Sequence, residues 1–184
     1  MKIKFNKNFI LLAICFLPLA ISGCGYTARS MISDKYKTIY ITPFVNKVDI
    51  TTETDVARKY KIYRPALETE VTRSVTNKFL FDGNLKPGKK ETADLTLSGE
   101  LLEYRRDPLR YDENSEVQEY RINLVVNIKL WDNKENKLYW EESGFTGAST
   151  YFISGPTAKS ENTAIDDALS DLSRRIVERT VEQW

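Results

Sequence analysis

Alternating apolar and polar residues mark the most regular element of the chain. Within residues 117–131, the positions from 119 to 130 alternate between polar and apolar residues, with Val125 as the exception. Because successive side chains of a strand point to opposite faces, this pattern predicts a long strand with one buried face and one open face. Less regular alternation predicts three further strands, over residues 38–44, 93–105 and 138–151.

Two other stretches repeat apolar residues at helical intervals. Residues 65–81 carry Pro65 at the expected first helical position, and Gly83 follows where a C-terminal cap belongs. In the second stretch, Thr163 and Asp166 have the spacing of a capping box, and the apolar stripe that follows continues to the C-terminus. Both stretches therefore predict amphipathic helices.

The order of these elements is β-α-β-β-β-α. A sheet whose strands alternate cleanly needs helices on only one of its faces. A strand-helix-strand connection normally joins parallel strands, whereas a tight turn such as residues 132–137 joins antiparallel ones. We predict an α+β two-layer sandwich, with a four-stranded mixed sheet and two helices on one face. Gly144 and Gly147 predict a bulge or bend in the last strand.

The first residues have the features of a processing signal. Lys2, Lys4 and Lys7 precede an apolar run over residues 9–20, which is too short for a typical membrane span. Ile21-Ser22-Gly23-Cys24 then resembles the bacterial lipobox, in which the cysteine receives a lipid. We predict a signal peptide over residues 1–23 and a single domain over residues 24–184 that begins with lipidated Cys24 and a tether to residue 37. The alternative is an ordinary secretory signal in which Cys24 is incidental.

Composition limits the chemistry available to the mature chain. The sequence has no histidine, Cys15 leaves with the signal, and Cys24 is consumed by its lipid, so the Ser-His and Cys-His mechanisms are excluded. Loss of three lysines leaves 27 − 3 = 24 basic residues against 26 acidic ones, which does not suggest a nucleic-acid partner. We expect no cofactor and no metal beyond the covalent lipid on Cys24.

A hydrolase with paired carboxylates is the enzymatic alternative. Glu100 and Glu103, or Glu141 and Glu142, are the candidate pairs. Both spacings are odd, so each pair is predicted to lie on opposite faces of its strand. No glycine-rich phosphate loop is present either. The sequence therefore predicts a protein that is not an enzyme.

Several segments resemble the LptE-type lipopolysaccharide-assembly lipoproteins. They are the start Cys24-Gly25-Tyr26, the strand Ile39-Tyr-Ile-Thr-Pro-Phe-Val-Asn46, the long pair 93–105 and 119–131, and the helix Asn162-Thr-Ala-Ile-Asp-Asp-Ala-Leu169. The resemblance implies an outer-membrane lipoprotein on the periplasmic side that plugs and helps assemble an LptD-type β-barrel translocon. It also implies that the protein binds lipopolysaccharide during delivery to the cell surface. Gly25, rather than Asp, after the cysteine favours the outer membrane.

The same resemblance implies which basic residues bind lipopolysaccharide. They are Arg110, in the loop before the third strand, and Lys159, in the turn before the last helix, with Arg105 and Arg106 flanking the first loop. A guanidinium binds lipid A phosphates in a bidentate manner, and a lysine supplies a compact charge. The alternative is that all four are ordinary solvated surface charges, the arginines lying near acidic neighbours.

Aromatic residues near loops and strand ends suit contact with a barrel wall or acyl chains, although they also suit packing at the sheet margins. These residues are Tyr60, Tyr63, Tyr104, Tyr111, Tyr151 and Phe152. The polar stretch over residues 47–63 departs from the family pattern. A second hypothesis is an accessory or pilotin lipoprotein of another envelope complex, such as a secretin or a cell-wall synthase.

Overall fold

The computed structural model describes residues 32–48 and 64–182. The predicted signal peptide 1–23, Cys24, and Tyr60 and Tyr63 of the polar stretch lie outside the described residues. The elements, in chain order, are α1 (Ile32–Lys35), β1 (Thr38–Ile41), β2 (Val45–Asn46), α2 (Leu67–Asp82), β3 (Lys86–Pro87), β4 (Leu95–Tyr111), β5 (Val117–Asp132), β6 (Lys137–Phe152) and α3 (Glu161–Val181).

The strands form one mixed sheet in the order β3-β1-β4-β5-β6, with β2 also paired to β4. The short strands β1, β2 and β3 pair in parallel, and the long strands β4, β5 and β6 pair antiparallel. The predicted α+β class and the mixed sheet are confirmed. The predicted number of four strands is wrong, because β2 and β3 have two residues each and are too short to show alternation.

Proline 43 interrupts the first predicted strand. β1 ends at Ile41, and the chain returns to the sheet only at Val45. Between them, Phe44 turns into the core and covers Gly99, where an added Cβ would lie 2.1 Å from the Phe44 ring. The predicted strand 38–44 is therefore wrong at its end, because Pro43 cannot donate to a ladder and the Phe44 ring is buried instead.

Strand β4 is longer than the predicted strand 93–105 and runs on to Tyr111. The residues after 105 were predicted to form a loop, but Pro108 pairs with Tyr120 of β5 on one side, and on the other side no described strand pairs with β4 beyond Leu101. A proline whose missing N–H faces an unpaired edge costs no ladder hydrogen bond. Arg105, Arg106 and Arg110 consequently lie in a strand.

Both helices pack on the same face of the sheet, as predicted. In α2, the buried residues Val71, Val75 and Phe79 form the predicted stripe, and the N–H of Gly83 caps the helix by donating to the Phe79 carbonyl at 3.1 Å. Gly83 has a φ of +77°, a left-handed conformation that glycine adopts without strain.

Helix α3 begins earlier than predicted. Its N-cap is Ser160, whose hydroxyl accepts the N–H of Thr163 at 3.1 Å. The predicted capping box of Thr163 and Asp166 is therefore wrong, because Ser160 already occupies the capping position.

The two glycines of β6 have different roles. Gly144 has a φ of +70° and donates its N–H to the Asn127 side-chain oxygen at 3.0 Å, at an irregularity in the β5–β6 register. Gly147 lies under α3, and a Cβ there would lie 2.4 Å from the Leu172 Cβ. The predicted bulge is thus at Gly144, while Gly147 lets the helix approach the sheet.

Helix α3 also covers part of the outer edge of β6. The Asp171 carboxylate accepts the backbone N–H of Ala148 at 3.1 Å, and the Arg175 guanidinium donates to the Thr146 carbonyl. Two outward-pointing backbone groups of this edge strand are therefore satisfied by side chains of the same chain.

The residues just before β1 pack against the sheet. Ile32 and Tyr36 are buried, and the Tyr36 hydroxyl donates to Asp132. The Asp94 carboxylate accepts the backbone N–H groups of Lys37 and Thr38, at 2.6 and 3.1 Å. The predicted tether is therefore wrong for residues 32–37, since the buried side chains of this segment belong to the core.

The sheet has two contrasting ends. We call residues 35–38, 86–95 and 132–137 the tether end, because the register aligns Lys86 with Thr38, and Leu95 with Asp132. We call residues 109–119 and 152–159 the far end. At a rise of about 3.3 Å per residue, the 16-residue strands β5 and β6 separate the two ends by roughly 50 Å.

Candidate functional site

The face of the sheet opposite the helices is open and mostly polar. Gly147 contacts α3 and Gly99 contacts Phe44, so the helices lie on the face of their partners Leu124 and Ile128. The alternate residues of β5 point the other way, and no described helix covers them. These open-face residues of β5 are Glu119, Arg121, Asn123, Val125, Asn127, Lys129 and Trp131.

Arg105 is held on this open face by neighbouring carboxylates. Its guanidinium donates to Asp107 at 3.0 Å and to Glu103 at 3.3 Å. Asp107 also accepts the amide of Asn123 at 2.7 Å, and Asn123 is buried although it lies on the open face. Arg105 therefore already forms hydrogen bonds with carboxylates of its own chain.

A bulge in β4 changes the prediction for the first carboxylate pair. The register shifts between Leu101 and Glu103, so that Glu100 pairs with Asn127 and Glu103 pairs with Val125. Both glutamates consequently lie on the open face, and the prediction of opposite faces is wrong. For the other pair, opposite faces are confirmed: Glu141 pairs with Lys129 on the open face, and Glu142 with Arg179 of α3.

Arg106 points to the helix side of the sheet. Its guanidinium forms an ion pair with Glu161 and lies over the Tyr120 ring, 4.9 Å from the ring centroid. The structure therefore separates Arg105 and Arg106, which the sequence placed together, onto opposite faces.

Glu161 is the centre of a polar cluster at the start of α3. Its carboxylate accepts the hydroxyls of Tyr104 at 2.8 Å and Tyr151 at 3.3 Å, in addition to Arg106. Burial alone would raise the pKa of Glu161, but the hydrogen bonds from Tyr104 and Arg106 outweigh it and lower the pKa. Burial and the bond to Glu161 raise the pKa of Tyr104. Tyr104 and Tyr151 thus serve packing and this cluster.

Arg110 is the most accessible of the four predicted basic residues. Its side chain is 66% exposed, its Nε lies 3.7 Å from Glu119, and its guanidinium lies 5.5 Å from the centroid of the Phe152 ring. A distant, exposed ion pair and a cation–π contact leave most of the hydrogen-bond donors of Arg110 available to a ligand.

Lys159 contacts Phe152 through the backbone. Its backbone N–H donates to the Phe152 carbonyl at 3.2 Å, and its ammonium group pairs with Asp167 of α3. The structure therefore brings Arg110 and Lys159 to the same end of the sheet.

Three exposed apolar residues lie near this pair. Leu109 and Tyr111 flank Arg110 in β4, and Ile153 donates its N–H to the Gln118 carbonyl of the neighbouring strand. Tyr111 was among the predicted aromatic contacts, whereas Leu109 and Ile153 were missed. Leu109 directly follows Pro108, and Ile153 lies two residues before Gly155; an apolar residue near a proline or a glycine is too common in sequences to indicate a site.

The far end thus combines available cationic groups with exposed apolar side chains. This combination suits a ligand that carries both phosphates and hydrocarbon. Within the described ranges there is no group of three metal-ligating residues and no helix long and apolar enough to cross a membrane.

Comparison with solved structures places the fold among small bacterial domains. The chain is similar to protein XCC0632 from Xanthomonas campestris, with a TM-score of 0.50 and 12% identity over 79% of this chain and 87% of that one. It is similar to protein CT253 from Chlamydia trachomatis, with a TM-score of 0.50 and 14% identity over 79% and 95%. A third similar structure is lipoprotein B from Nitrosomonas europaea, with a TM-score of 0.49 and 14% identity over 79% and 83%.

No curated protein sequence matches the chain. The family model described as LptE, lipopolysaccharide-assembly, matches residues 36–180, which include every described strand and nearly all of α3. Members of this family are non-enzymatic lipoproteins. The match is continuous and covers well over half of the sequence, so this chain belongs to the LptE family of lipopolysaccharide-assembly lipoproteins.

Proposed function

We propose that this protein is anchored by lipidated Cys24 to the periplasmic side of the outer membrane, where it plugs and helps assemble an LptD-type β-barrel. We further propose that its far end binds lipopolysaccharide during delivery to the cell surface. The single observation that carries this proposal is that Arg110 and Lys159 lie together at the far end, where Arg110 packs on the Phe152 ring and the Lys159 backbone bonds to the Phe152 carbonyl, with exposed apolar residues beside them.

The two cationic groups suit the phosphates of lipid A. The Arg110 guanidinium, with most of its donors available, can form two parallel hydrogen bonds to a phosphate. The Lys159 ammonium adds a second charge once Asp167 is displaced. Arg105 and Arg106, although predicted with them, have the supporting role, because Glu103, Asp107 and Glu161 already hold them.

The open face suits the plug. It is polar, two strands of it are 16 residues long, and it needs no apolar partner. In a hydrated barrel lumen, many modest polar contacts and bridging waters hold such a surface without a large apolar interface.

Charge reversal at the far end tests lipopolysaccharide binding. We expect Arg110→Glu with Lys159→Glu to weaken binding of purified lipopolysaccharide by about a hundredfold or more, since two lost charge-assisted contacts cost about 3 kcal/mol or more together. The matched control, Arg73→Glu with Lys78→Glu on α2, makes the same charge change and should bind like the wild type. Equal affinity of the far-end variant and the control, with unchanged circular dichroism, would remove these residues from the site.

Purification from detergent-solubilised membranes tests the partner. We expect a large β-barrel protein of the lipopolysaccharide translocon to copurify with the wild-type protein. A secretin or a cell-wall synthase in its place would reject the proposal in favour of an accessory role in that complex.

The anchor is tested at Cys24. We expect the mature N-terminal peptide to carry the mass of a lipidated cysteine, and Cys24→Ser to abolish the incorporation of labelled fatty acid. A wild-type protein that is recovered from membranes without fatty acid would contradict lipidation.

A further inference from the structure

The two ends of the sheet carry opposite charge. The tether end has seven lysines against four carboxylates, whereas the far end has two basic and four acidic residues. The tether-end lysines are Lys35, Lys37, Lys86, Lys89, Lys90, Lys134 and Lys137, and the carboxylates are Glu91, Asp94, Asp132 and Glu135. The molecule is therefore a dipole whose positive pole is the end where β1 begins.

Part of this positive charge has no partner among the described residues. Three of the lysines pair with tether-end carboxylates, namely Lys35, Lys134 and Lys137. Among the described residues, Lys86, Lys89 and Lys90 are exposed and form no ion pair. They lie on one short segment that runs from β3 to the start of β4, so that their charges face the solvent together.

Large apolar side chains surround the same end. Trp131 and Leu138 are register partners on the open face, and they are 39% and 44% exposed. On the helix side, Leu80 and Phe81 are 61% and 88% exposed in the last turn of α2, which packs against β3. Aromatic and aliphatic side chains mixed with lysines are typical of a surface that contacts lipid headgroups.

The path of the chain brings this end to a membrane. The described structure begins at Ile32, eight residues after Cys24, and α1 joins the tether end through Lys35 and Tyr36. Eight residues span at most about 29 Å. If Cys24 carries a lipid, the tether end cannot lie further than this from the bilayer surface, whereas the far end is roughly 50 Å away along the sheet.

We propose that the tether end is a membrane-docking surface that binds the anionic phospholipid headgroups of the bilayer. Lys86, Lys89 and Lys90 supply the charge, and Phe81 and Trp131 enter the headgroup region. The orientation rests on the proposed lipid anchor at Cys24, while the surface itself consists of described residues. Docking here directs the far end, with Arg110 and Lys159, away from that leaflet.

The far end does not fit the same partner. Its loop between β4 and β5 carries Asp112, Glu113 and Glu116 and no basic residue. An anionic bilayer repels such a loop, so the two ends differ in membrane affinity although both expose apolar side chains.

The test compares a label at the two ends of the same protein. Glu91→Cys and Glu113→Cys each place one environment-sensitive fluorophore on an exposed loop, the first at the tether end and the second at the far end. The purified, naturally processed protein is reconstituted into vesicles of phosphatidylcholine with phosphatidylglycerol, with brominated lipids as quenchers. We expect quenching at position 91 and none at position 113.

A second variant tests the lysines. Lys86→Gln with Lys89→Gln and Lys90→Gln removes three charges without breaking an ion pair, and we expect the ratio of docked to undocked protein to fall about a hundredfold, or about fivefold for each lysine. For the wild-type protein, we expect a similar fall in the ratio of docked to undocked protein when the vesicles contain phosphatidylcholine alone. Equal quenching at positions 91 and 113, or no effect of the triple variant, would overturn the proposal.

Two further outcomes separate this proposal from the proposed function. If quenching at position 91 requires added lipopolysaccharide, the tether end is a lipopolysaccharide site and the docking proposal is wrong. If the N-terminal peptide lacks lipid but position 91 still prefers anionic vesicles, the docking surface is supported and the Cys24 anchor fails.

Discussion

Each end of the sheet has one carboxylate that organises its surroundings, and the two differ in what holds them. Asp132 is fully buried and accepts the Tyr36 hydroxyl and the backbone N–H groups of Lys134 and Glu135, at 2.9 and 3.1 Å. Glu161 is partly exposed and accepts only side-chain donors. The donors to Asp132 come from its own turn and from the segment before β1, whereas the donors to Glu161 come from the long strands β4 and β6.

The difference indicates what each carboxylate does. Asp132 joins the segment before β1 to the β5–β6 turn, so the exit point of the tether is fixed relative to the sheet. Glu161 joins the start of α3 to β4 and β6, next to Lys159 and the candidate ligand site. One carboxylate thus holds the segment before β1 on the sheet, and the other holds the start of α3 on it.

The largest expected effect is at Asp132. Asp132→Ala should lower the free energy of unfolding by about 3 kcal/mol, because it leaves a buried hydroxyl and two N–H groups without their acceptor. Urea unfolding monitored by circular dichroism measures the change. Glu135→Ala, in the same turn but exposed, is the control and should change stability by less than about 1 kcal/mol. Similar losses in both variants would contradict a special role for Asp132.

A smaller loss is expected at Glu161. Glu161→Ala should destabilise the protein by about 1–2 kcal/mol, because Tyr104 is buried but Arg106 can turn towards solvent. Asp166→Ala, on an exposed position of the same helix, should have little effect. If Glu161→Ala cost as much as Asp132→Ala, the distinction between the two ends would fail.

Acid should remove the stabilising contribution of both carboxylates. The hydrogen bonds that outweigh burial hold the pKa of Glu161 below its ordinary value of 4.5, and that of Asp132 below 3.8. A lowered pKa in the folded state gives stability that is complete above the ordinary value and is lost as pH falls through the folded value. The stability difference between wild type and Glu161→Gln should therefore shrink below pH 4.5. A difference that grows in this range would contradict the sign.

The smallest effect on stability is expected at the exposed apolar residues of the tether end. Trp131→Ala and Leu138→Ala should each cost about 1 kcal/mol or less, since both side chains are already partly in water. The buried neighbour Leu130→Ala should cost about 2–5 kcal/mol in the same unfolding experiment. A large loss at Trp131 would mean that it packs within the domain and is not available for docking.

Long periodic elements were predictable because their pattern reports burial directly. Strand β5 and helix α2 lie within two residues of their predicted bounds, since every alternate or fourth residue faces the core. The short strands β2 and β3 were not predictable, because a two-residue strand has no period. The end of β4 was not predictable either, since the cost of a proline such as Pro108 in a strand depends on whether its edge is paired, and pairing is a tertiary property.

The sequence predicted which basic residues belong to the site, but not the environment of each one. Their different environments depend on one β-bulge and on strand register. The bulge after Leu101 decides that Arg105 meets Glu103 and Asp107 on the open face, while Arg106 meets Glu161. The spacing of residues in the sequence does not reveal such a shift. The accessibility of Arg110 and the ion pairs of Arg105 and Arg106 could therefore be learned only from the structure.

Two side chains of α3 cover part of the β6 edge, and this matters wherever many copies of the protein lie close together. Lipoproteins held on one leaflet diffuse in two dimensions and meet one another often, and an uncovered strand edge is a template for joining two sheets. With Asp171 and Arg175 occupying the outward backbone groups of Ala148 and Thr146, this part of the edge offers no template. Pairing of two copies through this part of the edge is therefore blocked.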